Sequence, residues 1–233
     1  MLLIRKKNEM NFASHFFLDG IEGRPYYNFG LVLPDLASIF KRGWRIADRN
    51  NVQEMNQRNM DIFSGILKHY ELDAIFHQSM FFNEHTKMIK DLLKQEKLQL
   101  IQLKRHFVAH VLLELIIDRV VVKRDETVLH KYYKCLDRIT EEDVLSFFSN
   151  DDPAFIRSFF AFFEKFRAKR FLYNYSENES VIFVLNKVLE RVGLLPFISL
   201  SDLERLDIIL TQTETVVDDD FRRILEIRNN ENL

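Results

Sequence analysis

Histidine and acidic side chains recur at helical spacing in an apolar part of this sequence, where a helix has no structural need for them. His110, Glu114 and Asp118 stand four residues apart in the segment 107–122, in which 12 of 16 residues are apolar. At about 100° per residue, three such side chains fall within an arc of about 80° on one helix face. His106, one turn earlier, extends the row. The spacing predicts a line of ionisable groups inside the protein core.

A second row of the same kind lies earlier in the chain. His69, Asp73 and His77 repeat the spacing of four residues among apolar neighbours. Carboxylates buried together are costly without a cation, because each charge loses its hydration. A divalent metal between the two rows would remove that cost, and mixed imidazole and carboxylate ligands suit Mn, Fe, Zn or Mg. The two rows therefore predict a metal site able to activate water against a phosphoester.

Two structural interpretations compete with a metal site. Charged residues make up 29% of the chain, so acids and histidines four residues apart also occur on solvated helix faces, where either row could lie. For Glu114 and Asp118, the main alternative is a buried salt bridge to one of three cations. These cations are Arg105, Arg119 and Lys68.

Other kinds of catalytic site are not indicated. The chain has no glycine-rich phosphate loop, no Gly-x-Ser-x-Gly motif and no HExxH motif. The single cysteine, Cys135, excludes an internal disulfide, and its lysine-rich surroundings give little support for a nucleophile. We expect His85 and His130 to lie on the surface, because their neighbours in the sequence are polar.

Composition indicates one all-α domain. The 233 residues are 47% hydrophobic and include only six glycines and four prolines, which disfavours a turn-rich β fold. A net charge of −2 offers no broad field for nucleic acid or an anionic membrane, and we expect neither as a partner. The lone cysteine and the absence of a signal segment favour the cytoplasm. The oligomeric state is not predicted.

Helical periodicity predicts the elements that must position the two rows. Residues 12–54 hold four glycines and two prolines, so we expect a loop-rich N-terminal region there. The helix that carries His110 is the most apolar and is predicted to be central. The periodic segments are residues 55–77, 84–96, 98–122 and 125–136.

Start signals predict two further helices in the second half of the chain. Thr140 and Asp143 have the spacing of a capping box, and Asp152 before Pro153 combines a carboxylate cap with proline at the first helical position. The helix after Pro153 carries five phenylalanines on one face, which predicts core or a wall for a pantetheine-like substituent. They are Phe155, Phe159, Phe162, Phe163 and Phe166.

The C-terminal part is also predicted to be helical. Ser176 and Glu179 have capping-box spacing, and Gly193 is expected to end the helix that begins there. A further helix is predicted to start near Ser201, and residues 218–228 form a charged amphipathic tail. No repeat or linker divides the chain, so residues 1–233 are predicted to form a single domain.

Four short segments follow one another along the chain in a recognisable order. They are Met10-Asn11-Phe12-Ala13-Ser14-His15, Gly30-Leu31-Val32-Leu33-Pro34-Asp35-Leu36, His69-Tyr70-Glu71-Leu72-Asp73 and Glu114-Leu115-Ile116-Ile117-Asp118-Arg119. In their order and gaps, over residues 10–190, the chain resembles the acyl carrier protein phosphodiesterases, which are similar to HD-type metal phosphohydrolases. The resemblance implies an HD-like helical bundle, with residues 1–9 as an extension or the product of a misplaced start.

The resemblance also implies an activity and a partner. Members hydrolyse, with manganese, the phosphodiester that joins 4′-phosphopantetheine to a serine of acyl carrier protein, a carrier in fatty acid biosynthesis. The positions that carry over are His15, Asp35, His69, Asp73, Glu114 and Asp118. The chain departs from the family pattern at three positions. The family has Asp where His77 stands, His where Arg119 stands and a small residue where His110 stands.

We therefore expect a phosphodiesterase site with assigned roles. The expected metal ligands are Asp35, His69, Asp73, His77 and Asp118. Ligation or proton transfer is expected from His15, His110 and Glu114. Two alternatives stay open: an HD-like hydrolase of another phosphoester, and a non-catalytic helical protein whose decayed site binds a protein partner.

Overall fold

The computed structural model describes residues 11–44, 46, 56–98 and 104–229, and all regular structure within these ranges is helical. The all-α prediction is therefore confirmed. The α-helices are α1 (Phe12–Asp19), α2 (Pro25–Phe40), α3 (Gln57–Gln78), α4 (Met80–Gln95), α5 (Arg105–Arg124), α6 (Thr127–Leu136), α7 (Glu141–Phe147), α8 (Pro153–Lys169), α9 (Asn178–Arg191), α10 (Leu200–Asp219) and α11 (Phe221–Asn229). A 3₁₀ helix, Phe171–Ser176, lies between α8 and α9.

The helix α5 is central, as its sequence predicts. Every side chain from Val108 to Val122 is buried, and α1, α4, α6, α9 and α10 all pack against it. A helix covered on every side is built from apolar residues all round, and it offers no solvated face to polar ones. The acids Glu114 and Asp118 therefore need partners inside the protein.

Two glycines allow α2 and α3 to cross at close range. A Cβ atom added at Gly30 would lie 2.1 Å from the backbone oxygen of Ile62, and one added at Gly65 would lie 2.1 Å from that of Tyr27. Neither position can hold a side chain unless the backbones separate. The crossing lies about one helical turn from Asp35 in α2 and from His69 in α3, so it brings these two residues into the same region.

The N-terminal region is helical, so the prediction of a loop-rich segment is wrong over residues 12–40. Only short turns, such as that at Gly23 with φ of +83°, separate its helices. Pro34 lies inside α2, where its ring forgoes one backbone hydrogen bond. Burial of an almost unbroken apolar stretch of α2 against the core outweighs that loss. Residues 41–44 and 46 are non-helical, as predicted, and residues 45 and 47–54 lie outside the described ranges.

The other predicted helices are present with shifted ends. The helix expected over 98–122 begins at Arg105, and both Leu98 and Lys104 are non-helical. Residues 99–103 lie outside the described ranges, as do residues 1–10. The helix expected near Ser201 begins at Leu200, where the Ser199 hydroxyl accepts from the backbone N–H of Asp202. The amphipathic tail corresponds to α11.

Three of the four local signals at helix ends are confirmed. Thr140 and Asp143 form both hydrogen bonds of a capping box at α7, and Asp152 caps α8. Gly193 follows α9 with φ of +77°. The capping box expected at Ser176 is wrong, because that residue completes the 3₁₀ helix and α9 begins only at Asn178.

The phenylalanine face of α8 packs into the core. Phe159, Phe163 and Phe166 are buried, while Phe155 and Phe162 are half-buried and pack against the same core. The predicted core role of this face is therefore confirmed. Within the described ranges, no helix combines the length and the apolar content that crossing a membrane requires.

His85 is buried, so its predicted surface position is wrong. The ring stacks on that of Phe81 with a centroid distance of 4.0 Å, and its Nε2 atom lies 3.4 Å from Oδ2 of Asp220. The chain between α10 and α11 covers this part of α4, which polar neighbours in the sequence could not reveal. His130 is exposed, as predicted.

Candidate metal centre

Seven of the eight expected site residues converge, from four helices, into two adjoining clusters. The Asp35 group comprises His15 of α1, Asp35 of α2, and His69 and Asp73 of α3. The Glu114 group comprises His77 of α3 with His110 and Glu114 of α5. The two groups adjoin through α3, because His77 Nδ1 donates to the backbone oxygen of Asp73 at 2.7 Å.

The Asp35 group is held together by the carboxylate of Asp73. Its two oxygens lie 3.1 Å from Nε2 of His15 and 3.3 Å from Nε2 of His69. The imidazole rings of His15 and His69 stack with centroids 4.3 Å apart. The nearest oxygen of Asp35 lies 4.0 Å from His69 Nε2. One ligand atom from each of His15, Asp35 and His69 lies within 4.8 Å of the other two, so these residues can hold one ion.

The backbone fixes the orientation of the His69 ring. Its Nδ1 atom lies 2.8 Å from the carbonyl oxygen of Leu31, and a carbonyl can only accept, so Nδ1 carries a proton. Nε2 is thereby directed at the carboxylates of Asp73 and Asp35. Metal-binding histidines characteristically donate their second ring nitrogen in this way.

Burial and mutual charge set the protonation of the Asp35 group. Burial raises the pKa of Asp35 well above its ordinary value, and the carboxylate of Asp73 adds to the rise. Burial lowers the pKa of His15, and nearby His69 lowers it further. Burial would also lower the pKa of His69, but Asp73 and Asp35 outweigh it and raise the value to about 9. Without a cation, this cluster retains protons to limit its negative charge.

The Glu114 group is more compact. His110 Nε2 lies 2.6 Å from Oε1 of Glu114 and 3.1 Å from Nε2 of His77. His77 Nε2 lies 3.4 Å from the same Oε1 atom. Glu114 has no exposed surface; burial would raise the pKa of its carboxyl, but His110 and His77 outweigh burial and lower it. The group therefore presents a buried carboxylate beside two imidazoles.

Asp118 lies outside both groups and anchors the N-terminus of α1. Its two oxygens accept hydrogen bonds from the backbone N–H of Phe12 at 2.7 Å, and from the N–H and hydroxyl of Ser14 at 2.8 and 2.7 Å. Burial raises its pKa to about 6 against these hydrogen bonds. Asp118 thus positions α1, and with it His15, rather than facing the other acids.

The salt bridges proposed as an alternative take a different form. Arg119 points away from Asp118: its guanidinium donates to the backbone oxygen of Tyr175, to Asn178 and to Glu214. Glu114 lies against two histidines, with Oε1 at 2.6 Å from His110 Nε2 and 3.4 Å from His77 Nε2. His106, which extends the row in sequence, is exposed and contributes to neither group.

The donor set fits a divalent metal. Asp35 Oδ2 and Glu114 Oε2 are buried and accept no hydrogen bond from the described part of the chain. Buried polar atoms are almost always satisfied, so two orphaned carboxylate oxygens in one region are suited to a cationic partner. Imidazole nitrogen combined with carboxylate oxygen suits Mn, Fe or Zn. The residues of both groups could therefore hold a metal ion.

Spacing alone could not have identified every member of the site. His15 and Asp35 belong to neither helical row and were indicated only by the family resemblance. Ser14, which holds Asp118, carried no signal in the sequence. Comparisons with protein-family models, with curated proteins and with solved structures found no match for this chain. The functional argument therefore rests on the geometry of the site.

Proposed function

We propose that this protein is a metal-dependent phosphoester hydrolase. The observation that carries the proposal is the convergence of buried imidazoles and carboxylates from α1, α2, α3 and α5, with carboxylate oxygens of Asp35 and Glu114 left without donors. Four helices that each bring an ionisable group to one buried region do so at a cost in desolvation. A structural role does not need that cost, whereas a bound cation offsets it.

Each part of the site has a chemical task in this proposal. A divalent cation, when bound, supplies Lewis-acid chemistry, since it activates water near neutral pH and neutralises charge on a phosphoester. Asp73 orients the imidazoles of His15 and His69. The Glu114 group, in which His110 Nε2 lies 2.6 Å from Oε1 of Glu114, adds a buried carboxylate and two imidazoles that could likewise hold a cation.

For the substrate, we propose the phosphodiester between 4′-phosphopantetheine and a serine of acyl carrier protein. Support comes from the resemblance, because five of the six positions it carries over lie in the two donor groups. They are His15, Asp35, His69, Asp73 and Glu114. In this reaction, water adds to phosphorus, the bond to the serine oxygen breaks, and that oxygen takes up a proton.

The test of the hydrolase begins with metal content. Purified protein is depleted with a chelator, reloaded with Mn²⁺, and assayed by elemental analysis and by hydrolysis of bis(p-nitrophenyl) phosphate. We expect stoichiometric metal and metal-dependent turnover. Asp73→Asn should lose metal affinity by about 10- to 100-fold, while Asp61→Asn, elsewhere on α3, should keep both properties. A wild-type protein that binds no Mn²⁺, Fe²⁺ or Zn²⁺ would contradict the proposal.

A second assay distinguishes the substrates. Holo acyl carrier protein is incubated with metal-loaded enzyme, and loss of the prosthetic group is followed by mass spectrometry of the carrier. Cleavage supports the assignment from the resemblance. Turnover of the generic diester without cleavage of the carrier would favour a different phosphoester. Neither metal nor turnover would favour the non-catalytic protein, in which contacts such as His110 to Glu114 close the site without an ion.

A further inference from the structure

The Glu114 group has the geometry of three ligands on one face of a metal ion. Two ligands at right angles, each about 2.1 Å from an ion, lie about 3 Å apart. The three separations among His110 Nε2, His77 Nε2 and Glu114 Oε1 are 2.6, 3.1 and 3.4 Å. Two histidines and one carboxylate in this arrangement bind divalent Fe, Mn or Zn.

The surroundings of these three residues support an ion rather than a simple hydrogen bond. His77 Nδ1 donates to the backbone oxygen of Asp73, which directs Nε2 towards the group and is the usual outer contact of a metal-binding imidazole. A proton between His110 and Glu114 satisfies only one carboxylate oxygen, and Glu114 Oε2 still accepts nothing from the described residues.

We propose that the Glu114 group is a second metal position, separate from the Asp35 group, so that the protein holds two ions. A catalytic role for this second metal position rests on the proposed function, whereas the position itself does not. It is specific to this chain, because His77 and His110 stand where the resemblance has an acid and a small residue. Two adjacent cations would suit a phosphoester, whose attacking and leaving oxygens both carry negative charge.

The number of ions per chain tests this inference. Metal-free protein is titrated with Mn²⁺ or Zn²⁺, excess is removed, and bound metal is measured by elemental analysis. We expect two ions per chain in the wild-type protein, one in His110→Ala and one in Asp35→Asn. His130→Ala, which removes an exposed histidine, should keep two. His77→Gln, at the half-buried edge of the group, gives a second test if His110→Ala fails to fold.

The outcomes separate the two proposals. One ion in the wild-type protein that persists in His110→Ala would overturn the second position and leave the proposed function standing. No ion in the wild-type protein would overturn both. One ion that is lost in His110→Ala but kept in Asp35→Asn would support the Glu114 group and contradict the role given to the Asp35 group.

A different observation indicates where an anion binds. Arg191, the last residue of α9, has Nε and Nη2 buried, and neither donates to any group in the described part of the chain. These two N–H groups form the edge of a guanidinium that binds two oxygens of a phosphate or carboxylate at once. A buried edge of this kind without an acceptor indicates a ligand that the chain itself does not supply.

The other described arginines with a buried, unpaired nitrogen differ from Arg191. Arg105, Arg119 and Arg170 each have one such nitrogen, whereas Arg191 has two on the same edge. Arg119 and Arg170 also pair through their other nitrogens with Glu214 and Asp137. Burial lowers the pKa of Arg191 most, while the carboxylate of Asp35 raises it and Arg42 lowers it further. The charges of Asp35 and Arg42 therefore act on the pKa of Arg191 in opposite directions.

We infer that Arg191 binds an oxyanion through its buried Nε and Nη2 edge, and that in the proposed hydrolase this anion is the phosphate of the substrate. A guanidinium at that position would orient the phosphate and offset its charge. This role rests on the proposed function only for the identity of the anion. Binding of inorganic phosphate, which needs no turnover, tests the site itself.

Titration calorimetry with inorganic phosphate, on metal-loaded and on metal-free protein, is the experiment. We expect Arg191→Met to weaken binding by about 10-fold or more, because a charge-assisted pair is lost. Arg191→Lys should restore little of the phosphate affinity, since an ammonium group lacks the two parallel N–H donors of a guanidinium. Lys187→Met, one turn earlier on α9 and exposed, should bind as the wild-type protein does.

Metal content of each arginine variant is measured alongside. Unchanged metal content with weakened phosphate binding supports the inference. Equal phosphate affinity in Arg191→Met and wild-type protein, or no phosphate binding by either, would overturn it. A wild-type protein without metal would contradict the proposed function, while the titration of metal-free protein would still decide the role of Arg191.

Discussion

Asp118 shows how a single buried carboxylate can serve a site without belonging to it. Its oxygens accept hydrogen bonds from Phe12 and Ser14 at the start of α1, where the free backbone N–H groups and the helix dipole favour an acceptor. His15 stands one residue beyond Ser14. The position of the His15 imidazole in the Asp35 group therefore depends on Asp118, which lies on α5.

The pKa of Asp118 predicts an unusual dependence of stability on pH. Because the folded value of about 6 lies above the ordinary 3.8, the folded protein binds the proton more tightly than the unfolded chain does. The resulting stability is fully present below 3.8 and is lost as pH rises through about 6. The loss is on the order of 3 kcal/mol.

Comparison of wild-type protein with Asp118→Asn isolates this effect. We expect the variant to be less stable because α1 loses part of its anchor, and the difference in unfolding free energy to shrink as pH rises. Urea unfolding at several pH values measures it. Asp91→Asn, which removes an exposed acid of α4, is the control for the loss of a carboxylate outside the core. A difference for Asp118→Asn that grows with pH would contradict the assigned pKa.

At the scale of elements, the crossing of α2 and α3 positions the site. Gly65→Ala would place a Cβ 2.1 Å from the backbone oxygen of Tyr27, so the helices must separate and Asp35 must move relative to His69. We expect destabilisation of about 1–3 kcal/mol or more, as for overpacked cores, together with weaker metal binding. Urea unfolding and elemental analysis measure the two effects.

Ser64→Ala is the matched control for this crossing. Ser64 neighbours Gly65 on α3 but is exposed, so its substitution should change stability by less than about 0.5 kcal/mol. Retention of wild-type stability and metal content by Gly65→Ala would show that the crossing does not hold the site.

Loss of a helix cap remote from the site should lower stability without changing metal content. Thr140 accepts from Asp143 in the capping box of α7, and Thr140→Ala should cost about 1 kcal/mol of stability. None of the donor residues lies on α7, so metal content should stay at the wild-type level. Loss of metal in folded Thr140→Ala would contradict the separation between α7 and the site.

At the scale of the whole molecule, candidate ligands from four helices would make metal binding part of folding. An ion that binds only the folded protein stabilises it by about 2.7 kcal/mol at a hundredfold excess over Kd. We expect Mn²⁺ or Zn²⁺ to raise the melting temperature, EDTA to lower it, and Asp73→Asn to show a much smaller response. A melting temperature that changes with neither metal nor EDTA would contradict a metal centre with ligands from four helices.

The sequence by itself determined the helical class, the central helix and most helix ends. These features follow from local periodicity and capping: the apolar run around His110 must be buried, and Thr140 or Asp152 can satisfy backbone donors only at a helix start. The same periodicity placed His110 and Glu114 on one face. Local signals failed at α2, where burial of apolar side chains overrides Pro34, and at Ser176.

Only the tertiary structure decided which of those side chains meet. Spacing groups Asp118 with Glu114. In the structure, however, the N-terminus of α1 packs against α5 beside Asp118, and backbone N–H groups of α1 donate to its carboxylate. The polar neighbours of His85 in the sequence predict a surface position, yet the chain at Asp220 covers it. The partners of a buried ionisable group come from distant segments, because desolvation is decided by whatever packs against it and not by its neighbours in the chain.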